Sequence, residues 1–354
     1  MDPNLLKRAR KKYLSTRLAA ELVKLRSSLH VGYRNTLACS HQLEVDDDQV
    51  LRSTFYCRRR WCSTCASINM ATLIDRYRPS IVAMSSPMFV TLTVPNCSSP
   101  RIDETLDRMA ATWRKITDLA RKRRILFRGI RKTELKVGKG GGFHPHYHLI
   151  LDGGQEAAEW LVDQWLERIP EASRLSQDIA EVSDIGRALV ELMKYATKLT
   201  CAEDSRNLVL ATPRQMDRIF RALHGRRLVQ PFGGIKAVPD DAFDPEPQIV
   251  EAARGLYNWC EADWYHVETG EALTGYDPRP DLEEWRALQE EAHTPTPARH
   301  RAAGVRREPA NAPGTPGTSR PGTHPRPRQR GCTCCAQANA PQQPPRPGSR
   351  HHTK

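Results

Sequence analysis

The chain has 354 residues, 54 Lys and Arg against 41 Asp and Glu, and a formal net charge of +13. That length allows one large domain or two smaller ones, and the basic surplus favours a polyanionic partner over an acidic or neutral one. No stretch approaches the roughly 20 apolar residues needed to span a bilayer, and basic Met1–Lys12 lacks an apolar signal core, so a cytoplasmic protein is expected. Its ten cysteines then read as metal ligands or reduced thiols rather than disulfides.

The pattern Leu5, Leu14, Leu18, Leu22, Leu25 predicts one or two basic amphipathic helices over 3–29, either solvated or lying on DNA. Residues 36–68 are cysteine-rich and lack helical periodicity. Cys39, Cys57, Cys62 and Cys65 follow C-x17-C-x4-C-x2-C, which suits a closed tetrahedral structural Zn²⁺ site, with His41 as a competing fourth ligand. Arg58, Arg59, Arg60 and Trp61 interleave the cysteines, so a metal-stiffened loop would offer cations and a ring to phosphates and bases.

A helix over 69–78 is expected to stop near Pro79. The run Met88-Phe-Val-Thr-Leu-Thr-Val94 reads as a strand ended by Pro95-Asn96. A helix over 102–122 follows, then a hairpin with strands over 129–137 and 147–151 joined through Gly138-Lys-Gly-Gly-Gly142. Helices are expected over 156–168, over 183–200 with a Ser183-Asp184 cap, and near 213–224. Beyond residue 290 the Pro- and Arg-rich composition predicts a disordered basic tail.

Two clusters carry the chemistry. In Phe143-His-Pro-His-Tyr-His-Leu-Ile-Leu151, strand alternation puts His146 and His148 on one face, about 7 Å apart along the chain. Pro145 argues that His144 sits at or before the strand start. Glu134 on the facing strand would add an oxygen ligand, and two His with one carboxylate suit Mg²⁺ or Mn²⁺ with open positions for phosphate and water. The bland reading is histidines hydrogen-bonded in a half-buried sheet. In Glu191-Leu-Met-Lys-Tyr-Ala-Thr-Lys198, Glu191, Tyr195 and Lys198 share a helix face flanked by Lys194. A phenol of pKa near 10 needs a nearby cation to act as a nucleophile; without one this face is merely solvated.

The order of these pieces over roughly residues 36–200 resembles the HUH endonuclease superfamily, and within it the rolling-circle replication initiators of small plasmids with one catalytic tyrosine. Phe89-Val-Thr-Leu-Thr-Val-Pro-Asn96 looks like the first motif of that family, His144-Pro-His-Tyr-His148 like the second, Glu191-Leu-Met-Lys-Tyr195 like the third. The upstream cysteines are similar to those of the plasmid family, apart from Ser63 where a proline often follows the first Cys of the CxxC. The resemblance implies that Tyr195 nicks one strand at a replication origin, leaving a 5′-phosphotyrosine and a 3′-OH for a polymerase, with a host helicase as partner. His146, His148 and Glu134 would hold the catalytic ion, and Glu191 would help water end the cycle. Lys198 and Lys194 as phosphate contacts follow from helix geometry alone.

The expected fold is α+β: an antiparallel sheet with helices on one face, preceded by the zinc cluster. The expected domains are a basic helical region over 1–35, the cysteine cluster over 36–68, the catalytic domain over 69–212, an accessory region over 213–290, and the tail over 291–354. A related HUH transposase or relaxase is the runner-up enzyme. A non-catalytic, zinc-dependent DNA-binding regulator is the alternative from another class.

Overall fold

The computed structural model describes residues 3–138, 141–193, 211–239, 248–249 and 253–283, all within the compact unit that spans Met1–Thr294. Two antiparallel sheets organise these residues, and the long N-terminal helix touches the cores of both.

The helices are α1 (Pro3–Lys24), α2 (His30–Ala38), α3 (Ser63–Val82), α4 (Ile102–Lys122), α5 (Gly154–Arg168), α6 (Ile185–Met193) and α7 (Pro213–Leu223). The strands are β1 (Gln42–Val45), β2 (Val50–Ser53), β3 (Pro87–Thr93), β4 (Arg128–Val137), β5 (Phe143–Asp152), β6 (Asp178–Glu181), β7 (Val229–Phe232), β8 (Gln248–Ile249), β9 (Gly255–Cys260) and β10 (Asp263–His266).

The larger sheet runs β6-β3-β5-β4-β7. Strand alternation gives it two unlike faces. Val90, Leu92, Leu149 and Leu151 point into a core closed by Leu106, Met109, Trp113 and Ile116 of α4 and by Leu161 and Trp165 of α5. The opposite face carries the polar residues, with Ile130 and Ile150 at one end packed against Ile74 and Tyr77 of α3 and Leu189 and Leu192 of α6. The α+β antiparallel class is as expected. Helices nevertheless lie on both faces, because those two isoleucines extend an apolar patch onto the polar side.

Helix α6 starts on the Asp184 cap, whose Oδ1 accepts the Arg187 N–H at 3.0 Å. Helix α3 starts earlier than its periodicity suggests, inside the cysteine motif at Ser63, and keeps Pro79 in its last turn. His144 lies within β5 rather than before it. Phe143 exchanges both backbone bonds with Cys97, so Pro145, of the same parity, turns its missing N–H toward the side where β3 has already ended.

The smaller sheet runs β10-β9-β1-β2-β8. Leu5, Ala9 and Tyr13 of α1 cover its inner face with Leu43, Val45, Trp259 and Trp264, while Leu22 near the end of α1 enters the larger core. The described segments of 213–283 pack into both sheets and their cores. Strand β7 pairs with β4, α7 supplies Met216, Ile219 and Phe220 to the larger core, and β9 and β10 complete the smaller sheet. The reason is hydrogen-bond pairing across more than 90 residues, which local periodicity does not record.

Candidate metal centres

Cys39 ends α2, Cys57 follows β2, Cys62 caps α3 and Cys65 sits in its first turn. All four are buried and their sulfurs converge. The Cys39–Cys65, Cys39–Cys62 and Cys57–Cys65 Sγ distances are 3.4, 3.6 and 3.7 Å. A tetrahedron with 2.3 Å Zn–S bonds has edges of about 3.8 Å, so the cluster fits one ion with little adjustment. Backbone N–H groups of Cys57 and Arg58 donate to the Cys39 and Cys65 sulfurs, each at 3.3 Å. The ligand group contains cysteines alone, and His41 is not part of it.

Mutual hydrogen bonding splits the four thiols: bonds from Cys39 hold Cys57 and Cys62 below their ordinary value, while the bonds Cys39 and Cys65 make within the cluster, together with burial, push those two up. Lys12 of α1 is buried beside the cluster, with Nζ donating to the carbonyls of Leu37 at 2.9 Å and Cys39 at 2.6 Å. Burial lowers its pKa and the cysteines oppose that drop.

The second centre sits on the polar face of the larger sheet. Register pairs Glu134 with His146 and Lys132 with His148 across β4 and β5. His146 Nε2 lies 2.9 Å from Glu134 Oε2 and 3.1 Å from His148 Nε2, and His148 Nε2 lies 3.0 Å from the same carboxylate oxygen. Three donor atoms about 3 Å apart match one face of an octahedron with 2.1 Å bonds, the geometry of Mg²⁺ and similar ions.

The outer nitrogens are held as well. His146 Nδ1 is 3.1 Å from the His144 carbonyl and, since a carbonyl only accepts, it carries the proton and leaves Nε2 its lone pair. His148 Nδ1 is 3.1 Å from Thr91 Oγ1. His144 stacks on His146 with ring centroids 5.1 Å apart, yet its Nδ1 pairs with Asn96 Oδ1 at 2.9 Å and it stays outside the ligand set.

Burial lowers the pKa of His146, against the pull of Glu134, and lowers that of His144 to about 4, so both rings are neutral at pH 7. Burial would raise Glu134, but Lys132 and the two histidine bonds outweigh it and keep the carboxylate well below its usual range. Lys132 Nζ lies 3.7 Å from Glu134 Oε1.

Of the expected site residues, the sheet brings Glu134, His146 and His148 together. Glu191 lies on α6, which packs on this same sheet face through Leu189 and Leu192 against Ile130 and Ile150. Lys194, Tyr195 and Lys198 lie outside the described residues. Thr91, Asn96 and Lys132 were missed by sequence reasoning. Thr91 and Lys132 are each opposite His148 by strand register, and Lys132 has the parity of Glu134, which is the signal that could have found it, whereas Asn96 lies beyond the end of β3.

The basic loop differs from expectation at two positions. Trp61 does not stand free on the loop: it is largely buried, with Nε1 donating to Thr36 Oγ1 at 2.9 Å and its ring 4.9 Å from Tyr33 and 5.4 Å from Phe220, and only its edge lines the pocket beside α7. Arg60 is turned inward as well, donating to the carbonyls of Leu223 at 2.7 Å and Arg226 at 2.8 Å past the end of α7. Unpaired helix-end carbonyls recruit such a donor. Arg58 remains exposed and Arg59 half-buried.

An antiparallel sheet with a His-His-Glu ligand set, joined to a four-cysteine cluster, is the arrangement the motif resemblance implies for a replication protein. Residues 48–156 match a family described as "Replication protein". They include Cys57, Cys62, Cys65, Glu134, His146 and His148, and they end before Glu191. The chain is also similar to "Protein rep" of Lentilactobacillus hilgardii, at 25% identity over 117 residues, covering 30% of this chain and 37% of that protein. It thus spans little more than a third of that curated relative. No solved structure matches. Both matches support the resemblance to a replication protein that the motifs carry.

Proposed function

We propose that this chain initiates rolling-circle replication of a plasmid by nicking one DNA strand at the origin. The observation that carries the reading is the convergence of Glu134, His146 and His148 within about 3 Å of one another on a sheet face that α6 also covers. In the proposed reaction the Tyr195 hydroxyl, held as phenolate by neighbouring positive charge, attacks the scissile phosphorus. The Oη–P bond forms and the P–O3′ bond breaks. The 5′ phosphate stays on the tyrosine, and the departing 3′ oxygen takes up a proton to become a primer end for a host polymerase working with a helicase.

The ligand trio would hold Mg²⁺ or Mn²⁺, which when bound supplies positive charge at the phosphate oxygens. Lys194 and Lys198 would neutralise the same phosphate from the helix side. Glu191, one turn before the tyrosine, would take the proton from the water that ends the cycle. The four cysteines would hold Zn²⁺ as a structural brace. Arg58 and Arg59 would contact the DNA backbone, whereas Arg60 serves the fold.

The experiment incubates the full chain with labelled single-stranded origin DNA and Mn²⁺, then maps any phosphotyrosyl peptide. Tyr195→Phe is expected to abolish both the nick and the covalent adduct while leaving DNA binding largely intact. His148→Ala is expected to lose Mn²⁺-dependent cleavage and keep bound zinc. Cleavage at the wild-type level by the Tyr195 variant would defeat the assignment. Zinc loss from the His148 variant would mean the two centres have been exchanged.

A further inference from the structure

Between the cysteine loop and the end of α7 lies a pocket of about 250 Å³ with an apolar floor and a cationic rim. Trp61, Phe220 and Leu228 form the floor, and Arg58, Arg59 and His224 stand at the rim. We infer that it holds one unstacked nucleotide of a single DNA strand, base on the floor and phosphate against the rim. This deepens the replication reading above and rests on it for the identity of the polymer.

The floor is rigid before any ligand arrives. Trp61 is wedged between Tyr33 and Phe220 and tied to Thr36. The loop beneath it is fixed by the bond from the Arg58 N–H to Cys65 Sγ. Arg60 donates to the Leu223 carbonyl at the end of α7 and the Arg226 carbonyl just past it, and so ties the two walls together. Gly225, at φ +73°, turns the chain sharply after α7, and His224 just before it is exposed.

A nucleobase is a flat apolar plate carried by an anion, and this pocket offers an apolar floor beneath cations. The volume is below the roughly 300 Å³ at which drug-sized sites begin, so it suits one base rather than a stacked pair. Arg59 Nε is buried with no hydrogen-bond partner, a desolvated donor whose charge a bound phosphate would offset.

The Leu228 carbonyl accepts the Thr133 N–H at 2.8 Å, and Thr133 immediately precedes Glu134. The hydrogen bond sets Leu228, a floor residue, beside the strand that carries Glu134, while the floor itself belongs to the core on the α4 side of that sheet.

The test uses the full chain in buffer free of divalent metal, so that no cleavage is needed. Binding of a fluorescein-labelled 20-mer of mixed sequence is compared with an equally long strand of abasic units. Wild-type protein is expected to bind the base-bearing strand about tenfold more tightly. The double variant Arg59→Gln/His224→Ala is expected to lose about tenfold on the base-bearing strand with its Tm and zinc content retained. In case that variant misfolds, the unaltered protein is irradiated with a 5-iodouracil strand, and crosslinks are expected in peptides covering 58–61 or 220–228. Crosslinks wholly outside those segments, or a folded double variant that binds as wild type, would overturn the pocket. Absence of a covalent adduct with Mn²⁺ while these binding results hold would instead remove the nicking reaction and leave the pocket standing.

Discussion

Lys12 is an ammonium in an unusual position, buried at 1% exposure between two carbonyls and four thiols. A tetrathiolate zinc site carries two net negative charges, and a buried cation beside it lowers the cost of holding that charge out of water. Lys12→Met should therefore lose about 2 kcal/mol of stability, read from denaturant unfolding, and should release zinc to a chelator faster than wild type. Asp152 makes a comparable case on the larger sheet. Its carboxylate is wholly buried, accepts the Ser86 N–H at 3.0 Å, and pairs with Arg128 at 2.7 Å. Burial would raise its pKa, but those partners outweigh burial and hold it below the ordinary carboxylate value. A folded-state pKa below the unfolded value near 3.9 means stability present above that pH and lost as pH falls through it. Asp152→Asn is thus expected to cost about 2 kcal/mol at pH 7 and to flatten the acid limb of a stability-against-pH curve below about pH 4.

At the level of elements, what a short window of sequence records was legible and what pairing decides was not. Helix α4 coincides with the apolar spacing of Leu106, Met109, Trp113 and Ile116, because a helix covering a sheet must carry its own stripe. The His-x-His strand and its glutamate partner were readable because alternation and a Gly-rich hairpin fix parity. The cysteine loop was readable as a metal site, yet its Trp61 and Arg60 were misjudged. Their partners, Thr36, Phe220 and the carbonyls of Leu223 and Arg226, come from α2, α7 and the turn after α7, distant in sequence. The start of α3 at Ser63 was hidden for a similar reason: the cysteines mask its first turn. If the cluster braces that start, Cys65→Ser should abolish zinc retention, measured by elemental analysis, and should expose residues 57–66 to rapid amide exchange while β4 and β5 stay protected.

Over the whole unit, two sheets share α1, and the smaller is built from segments near both ends of the described chain. Strand β1 hydrogen-bonds β9 along its full length, Gln42 with Asn258 through Val45 with Gly255. Ending the chain at residue 250 should leave Leu43 and Val45 uncovered on a bare edge, giving a protein that aggregates and loses zinc, as judged by sedimentation and metal content. No described helix is long and apolar enough to cross a membrane. The partnership of β1 and β9 has a consequence in time. During synthesis, Gln42–Val45 leaves the ribosome roughly 200 residues ahead of the strand it pairs with, and at about 5–20 residues per second it waits ten seconds or more. Throughout that interval the inner face of α1 lacks Trp259 and Trp264. A nascent chain is then an unfinished clasp, and a ribosome stalled short of residue 266 yields a product that chaperones and proteases meet before it can close.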